Sequence, residues 1–163
     1  MTKVMFVCLG NICRSPLAEA IFKHKVKERG LEDVFSADSA GTSNYHIGEP
    51  PDARTVRNAI KNGITIDHRG QQLKSKHLEE YDYVFAMDFN NRDSIKRLVN
   101  GRNTRAKIDL IRKFDPLGTG KEVPDPYFGG ERGFQEVFEM LDRSIDNLID
   151  HLIDEHGLRP ETQ

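Results

Sequence analysis

The stretch Val4-Met-Phe-Val-Cys8-Leu-Gly-Asn-Ile-Cys13-Arg14-Ser15-Pro16-Leu17 decides the fold of this chain. Its apolar start predicts a buried strand over residues 4–8, and Pro16 fits the first position of a helix capped by Ser15. A chain that leaves a strand through a short turn and enters a helix can point consecutive backbone N–H groups at one anion. We therefore predict an anion-binding loop over residues 8–15, with the Cys8 thiol inside it.

Cys8 carries the clearest chemistry of this loop. Backbone donors, the positive end of the following helix and the Arg14 guanidinium all favour the thiolate, which is the nucleophilic form of cysteine. A planar arginine fork also matches two oxygens of a phosphate group. Gly10 allows the backbone to approach an anion closely, and Asn11 tolerates a left-handed backbone. The pattern indicates a nucleophile that faces a phosphate-shaped hole.

The composition is that of an ordinary globular protein. With 163 residues, 37% of them hydrophobic and 31% charged, the chain fits a single domain, which we place at residues 1–156, followed by a tail at 157–163. Lys and Arg number 24 and Asp and Glu 26, for a net charge of -2. This balance lacks the basic surface of a nucleic-acid-binding protein.

Neither a membrane span nor a metal site is expected. The apolar run before Cys8 is too short for a signal sequence or a bilayer span, so we predict a cytoplasmic protein. The two cysteines lie five residues apart, without Cys/His pairs at zinc-ligand spacing. We therefore expect reactive thiols in a reducing compartment, no metal and no cofactor.

The alternation of strand and helix signals predicts an α/β fold. We expect a three-layer sandwich with a central four-stranded parallel sheet and helices on both faces. The predicted strands are residues 4–8, 35–39, 83–87 and 106–111, the last at an edge, and a loop is predicted at 40–42. The predicted helices run from Pro16 toward Gly30, from the Asp52 cap toward Gly63, over residues 89–99 and over the apolar stripe of residues 134–153.

A long loop is predicted between the last strand and the last helix. Residues 112–130 contain many prolines and glycines, which a regular element would not tolerate. Loops of this length in a compact domain are commonly functional. Asp125 lies in this segment, where Pro126 stiffens the backbone that carries it.

Two motifs of the sequence resemble one enzyme family. Cys8-x5-Arg14-Ser15 after a strand resembles the phosphate-binding loop of protein tyrosine phosphatases. The residues around this motif are similar to those of the low-molecular-weight family. Asp125-Pro126-Tyr127 resembles the segment in which that family places its general acid. The resemblance covers residues 4–153 and implies the flavodoxin-like phosphotyrosine phosphatase I fold and a metal-free acid phosphatase. The oligomeric state stays open, with a monomer favoured.

The resemblance gives each motif a role in phosphoryl transfer. Cys8 would attack phosphorus and form a phosphocysteine, Arg14 would stabilise the equatorial oxygens, and Asp125 would protonate the leaving phenolate. Asp88 and Asp115 are the other acids to consider. Because an ionised Cys8 must act with a protonated Asp125, activity should be bell-shaped and peak on the acid side of neutral. The predicted phosphate-binding residues are Leu9, Gly10, Asn11, Ile12, Cys13, Arg14 and Ser15.

Further residues have supporting roles in this interpretation. Ser15 would hydrogen-bond the sulfur, and by resemblance Asn11, Ser39 and His68 form a network that braces the loop. Cys13 either captures an oxidised Cys8 as a disulfide, as in two-cysteine relatives, or is an inert buried thiol. The predicted aromatic walls of the substrate pocket are Tyr45, Tyr127 and Phe128.

Tyrosine-phosphorylated proteins or peptides are the expected substrates, with inorganic phosphate and vanadate as further ligands. Arsenate reductases of this fold relay a disulfide through later cysteines, and none follows Cys13 here. Arginine phosphatases of the family carry threonine where Ile12 stands, so tyrosine is the better prediction. A phosphotyrosine-binding module without turnover, and a dithiol redox protein, are the alternatives outside this enzyme class.

Overall fold

Four parallel strands form the centre of the computed structural model, which describes residues 1–127 and 129–158. The strands are β1 (Thr2–Cys8), β2 (Phe35–Gly41), β3 (Tyr83–Ala86) and β4 (Lys107–Leu110), in the sheet order β2-β1-β3-β4. The helices of the described residues are α1 (Arg14–Glu28), α2 (Ala53–Lys61), α3 (Ser75–Glu80), α4 (Phe89–Val99), α5 (Glu131–Glu155) and a 3-10 turn at Ile111–Phe114. None of these helices combines the length and apolarity needed to span a bilayer.

The side chains of β1 alternate between two apolar layers, as expected for a strand in the middle of a sheet. Phe6 points into the layer that contains α1, α2 and α5. Its ring contacts that of Phe22 edge-on and that of Phe85 at a tilt. Met5 belongs to a second layer that includes Ile95 of α4. Helices therefore cover both faces, which confirms the predicted three-layer α/β class.

The strand order places a crevice at the end of β1. The chain passes from β1 outward to β2 on one side and later to β3 on the other, so the connections that follow β1 and β3 diverge. Ligands of open parallel sheets bind at such a switch point, outside the carboxyl ends of the strands. Cys8 is the last residue of β1, and Asp88 follows β3 at the start of α4.

Most predicted elements are present, but some boundaries differ and two short helical elements were not predicted. Helix α1 begins at Arg14, with Cys13 rather than Ser15 in the capping position. Strand β2 continues to Gly41, where a Cβ would lie 2.7 Å from the Leu9 carbonyl oxygen. The 3-10 turn forms the start of the segment predicted as a loop. Helix α3, which is six residues long, was not predicted. β4 lies at an edge as predicted.

Candidate active site

The loop of residues 8–15, hereafter the Cys8 loop, connects β1 to α1 around the Cys8 sulfur. The Asn11 N–H donates to Cys8 Sγ at 3.3 Å. This geometry requires Asn11 to adopt the left-handed backbone predicted for it, with φ of 58°. Cys8 and Asn11 are both buried. The turn thus directs a backbone donor at a sulfur that lies at the base of a pocket.

Ser15 supplies a second hydrogen bond to the sulfur. Its Oγ lies 3.0 Å from Cys8 Sγ and accepts a hydrogen bond from Asn11 Nδ2 at 2.8 Å. Because Asn11 occupies an oxygen lone pair, the Ser15 hydroxyl proton is available to the sulfur. A sulfur that accepts from Asn11 and Ser15 is stabilised in its negatively charged form.

The network that braces the Cys8 loop contains every residue predicted for it. Asn11 Nδ2 donates to Ser39 Oγ at 3.1 Å, and Asn11 Oδ1 lies 2.7 Å from His68 Nε2. The backbone N–H of Gln71 also donates to Asn11 Oδ1, at 2.9 Å. These contacts fix the orientation of the Asn11 amide from both ends.

Glu19, which was not predicted from the sequence, is the anionic centre of this network. Its Oε1 accepts from Ser39 Oγ at 2.7 Å and lies 3.0 Å from His68 Nδ1, while Oε2 pairs with Lys23 Nζ. Burial raises the pKa of Glu19, but hydrogen bonds from His68, Lys23 and Ser39 outweigh it and lower the pKa below its usual value. Glu19 follows Ser15 by one helical turn, which is the sequence signal that could have placed it here.

Three residues of the network are types that bind metals in other proteins. Glu19, Asp38 and His68 each place a possible ligand atom within 4.8 Å of the others. However, Asp38 accepts hydrogen bonds from the Ser39 N–H and from Gln71 Nε2, and Glu19 is engaged as described above. The cluster therefore functions as a hydrogen-bond network in this structure.

Arg14 is a buried residue of the Cys8 loop, and its guanidinium is oriented by partners outside the loop. Its Nη1 donates to Asp88 Oδ2 at 2.8 Å and to the Val123 carbonyl at 3.0 Å. Asp88 in turn accepts the Asn91 N–H with its other oxygen, capping α4. These contacts make Asp88 an orienting partner of Arg14 rather than a free acid.

Asp125 lies at the mouth of the pocket, in the loop of residues 115–127, hereafter the Asp125 loop. One oxygen of Asp125 is 3.8 Å from Arg14 Nη2, and the other accepts the Tyr127 N–H at 3.0 Å. Its side chain is 47% exposed, so a substrate can reach it. Below it, Val123 is fully buried and its N–H donates to the Met87 carbonyl.

These elements enclose a pocket of about 170 Å³ with the Cys8 sulfur in its lining. Tyr45 and Tyr127 line it as predicted, although Tyr45 is 70% exposed. His46 also lines the pocket and was not predicted from the sequence. Phe128, the third predicted wall, lies outside the described residues. The remaining lining residues are Leu9, Gly10, Ile12, Cys13, Arg14 and Asp125.

Comparisons with known proteins identify the family of this chain. The family model for low molecular weight phosphotyrosine protein phosphatase matches residues 3–158. The chain belongs to this family. A Saccharomyces cerevisiae low molecular weight phosphotyrosine protein phosphatase is 44% identical over 141 residues, which cover 85% of this chain and 87% of the yeast protein. The family predicted from the sequence is therefore confirmed.

Solved structures of phosphatases share the fold. The structure of a protein tyrosine phosphatase from Entamoeba histolytica has a TM-score of 0.86 and 36% identity, covering 97% of this chain and all of that one. A Drosophila arginine phosphatase also has a TM-score of 0.86, with 32% identity over 93% of this chain and 98% of that one.

Cys13 has a different environment from Cys8 in this phosphatase. Both thiols are free, and Cys13 is 5% exposed. Burial, and secondarily the charge of Asp52, raise the pKa of Cys13 to about 12. Cys13 therefore stays a neutral thiol across the physiological range and is a weak nucleophile in the fold described.

Asp115, the other acid considered from the sequence, belongs to the base of the Asp125 loop. Its fully buried carboxylate pairs with Arg112 Nε at 2.9 Å and with Arg143 Nε at 2.8 Å. Burial raises the pKa of Asp115, but the hydrogen bonds from Arg143, the Leu117 N–H and Arg112 lower it below its usual value. An acid held in the charged form cannot donate a proton to a leaving group, so Asp115 has a structural role.

Proposed function

We propose that this protein hydrolyses phosphotyrosine in proteins and peptides through a phosphocysteine intermediate. The observation that carries the proposal is the convergence of Cys8, Arg14 and Asp125 on one pocket of about 170 Å³. A thiol at its base, a guanidinium at its side and an exposed carboxylate at its mouth are the three groups that the two-step reaction needs.

In the first step, Cys8 Sγ attacks phosphorus as the bond to the tyrosine oxygen breaks. Arg14 and the backbone N–H groups of the Cys8 loop stabilise the equatorial oxygens, where the transition state carries negative charge. Asp125 gives its proton to the departing phenolate and becomes a carboxylate. The products of this step are phosphocysteine and the dephosphorylated tyrosine.

In the second step, a water molecule attacks phosphorus and its proton passes to the Asp125 carboxylate. The sulfur leaves as a thiolate, which the Asn11 N–H and Ser15 Oγ stabilise at 3.3 and 3.0 Å. Inorganic phosphate is released and Asp125 is protonated again, so the enzyme returns to its starting state. Neither step requires a metal or an external reductant.

The pocket walls favour an aryl phosphate. Tyr45 and Tyr127 present aromatic side chains where the phenyl ring of phosphotyrosine would lie above the phosphate. The chain has Ile12 rather than threonine in the Cys8 loop, and its two cysteines are Cys8 and Cys13. These features disfavour arginine phosphatase and arsenate reductase activities.

We further propose that residues 1–156 act as one domain, as a monomer, in the cytoplasm. Reducing conditions there keep cysteines as thiols, which the catalytic sulfur requires.

The test is release of phosphate from p-nitrophenyl phosphate and from phosphotyrosine, phosphoserine and phosphoarginine peptides, with EDTA present and without added thiol. We expect turnover of the aryl phosphate and preference for phosphotyrosine, with a loss of at least about 10⁴-fold in Cys8→Ser. Vanadate binding to Cys8→Ser, measured by calorimetry, checks that the anion site survives. Preference for phosphoarginine, or turnover by Cys8→Ser, would contradict the proposal.

A further inference from the structure

A second cavity lies between α2 and the start of α5, beside the catalytic pocket. It has a volume of about 250 Å³. Arg54, Arg57 and Lys61 line it from α2, where spacings of three and four residues put them on the same side of the helix. Phe134 provides an apolar wall from α5.

The cavity is adjacent to the catalytic pocket through one stacked arginine. The Arg54 guanidinium lies 5.0 Å from the centre of the Tyr127 ring and 4.9 Å from that of Phe134. Tyr127 lines the catalytic pocket, whereas Arg54 and Phe134 line the second cavity. A peptide whose phosphotyrosine enters the first pocket can therefore extend across this stacked pair into the second.

The cations of the second cavity differ in how far they are neutralised. Arg54 is paired with Asp52 through two nitrogens, at 3.1 and 3.0 Å. Lys61 Nζ is 3.9 Å from Glu131, and these side chains are 67% and 93% exposed, so solvent weakens the pair. Arg57 is exposed and forms no salt bridge within the described residues. Arg57 and Lys61 are thus the charges open to a ligand.

Asn58 adds a polar contact on the same wall. Its Oδ1 is buried and has no hydrogen-bond partner among the residues that the structure describes. Its Nδ2 donates to Gln135 Oε1 at 2.9 Å, which connects this wall of the cavity to α5. Since the whole chain carries a net charge of -2, the basic wall is a local feature of the surface.

We propose that the cavity lined by Arg54, Arg57, Asn58, Lys61, Glu131 and Phe134 is an accessory subsite that binds an Asp or Glu side chain flanking the substrate phosphotyrosine. The inference rests on the proposed phosphotyrosine phosphatase activity and defines its substrate class. The substrate carboxylate would lie between Arg57 and Lys61.

The test compares two phosphotyrosine peptides whose flanking residues are all Glu in one and all Gln in the other. For the native protein we expect the Glu peptide to have a kcat/KM about five- to tenfold higher at low salt, since each exposed ion pair contributes little. The preference should shrink as ionic strength rises. In Arg57→Glu/Lys61→Glu the preference should disappear or invert, and Glu131→Gln should enlarge it.

The matched control is Lys96→Glu/Arg97→Glu, which changes the net charge equally on α4, on the opposite face of the sheet. If the subsite exists, this control variant should keep the preference of the native protein for the Glu peptide. Equal rates for the two peptides in the native protein, or equal losses in both double variants, would overturn the subsite. If neither peptide is hydrolysed, the proposed function itself fails, which is a distinguishable result.

Discussion

The Cys8 loop and the Asp125 loop serve the same reaction but are held in place differently. Buried hydrogen bonds among Asn11, Ser39, His68 and Glu19 brace the Cys8 loop from inside the fold. The Asp125 side chain is 47% exposed and is connected to the structure by fewer contacts. The part that binds phosphate is thus coupled to folding stability, whereas the part that moves protons is largely independent of it.

Asp125→Asn gives the sharpest separation of catalysis from stability. We expect kcat/KM for phenyl phosphate to fall by about 10²- to 10³-fold, because general acid catalysis contributes on this order. The loss should be much smaller for p-nitrophenyl phosphate, whose leaving group needs less protonation. Kinetics with a series of aryl phosphates measures this, and urea unfolding should give the midpoint of the native protein. A shifted midpoint would contradict the independence of the Asp125 side chain from folding stability.

Glu19→Gln should have the opposite profile, with a large effect on stability. Removing the carboxylate leaves the buried His68 and its neighbours without their charged partner, which costs about 3 kcal/mol in comparable buried pairs. Because the folded pKa of Glu19 is lowered, its contribution is full above the unfolded value of 4.5 and is lost as pH falls through the lower folded value.

Urea unfolding at several pH values therefore tests the pH dependence of this network. The stability of the native protein should fall more steeply below about pH 5 than that of Glu19→Gln. Glu28→Gln, in the exposed last turn of the same helix α1, is the matched control. Parallel pH profiles for native protein and Glu19→Gln would show that Glu19 does not carry this coupling.

Asn11 tests whether the Cys8 loop depends on its backbone shape or on its hydrogen bonds. Asn11→Gly keeps the left-handed conformation but loses the side-chain hydrogen bonds. We expect the free energy of unfolding to fall by about 2 kcal/mol and kcat/KM to decrease. Asn11→Ala should lose about 1 kcal/mol more, because a φ of 58° is unfavourable for alanine. Urea unfolding of both variants gives the two contributions, and equal midpoints would rule out backbone strain.

Arg54→Met probes the contact of the Arg54 guanidinium with Tyr127 in the Asp125 loop. Without the guanidinium against the Tyr127 ring, Asp125 should be less well placed, and kcat/KM for poor leaving groups should fall about fivefold, in line with the modest strength of such a contact. The dependence of kcat/KM on leaving-group pKa is the measurement. Arg132→Met, an exposed change in α5, is the control. A uniform loss across leaving groups would instead show that Arg54 does not position Asp125.

The sequence was most informative where one segment carries the whole pattern. The strand, turn and helix around Cys8 are contiguous, so residue spacing alone predicted the loop, the left-handed Asn11 and the neighbouring Arg14. The predicted α1 start was two residues late, because Cys13, which caps without a side-chain hydrogen bond, offers no capping signal. Helix α3 was missed because a six-residue element has too few turns to show a period.

Contacts between distant segments were harder to predict. Ser39 and His68 were placed by resemblance, whereas Glu19 and the pairing of Asp88 with Arg14 depend on where α1 and β3 lie in the sheet. His46, which reaches the pocket from the connection after β2, gave no local signal. Asp115 could not be excluded as the general acid from the sequence, because one of its two arginine partners lies far along the chain on α5.

The contacts of Arg14 Nη1 with Asp88 and the Val123 carbonyl have a consequence for recognition kinetics. Both partners come from the far side of the crevice, so the plane of the guanidinium is already set in the resting enzyme. An oxyanion that arrives by diffusion meets a rigid receptor and needs no rearrangement before docking. Capture of substrate should therefore be governed by encounter frequency and charge attraction, with selectivity expressed mainly in how long each complex survives.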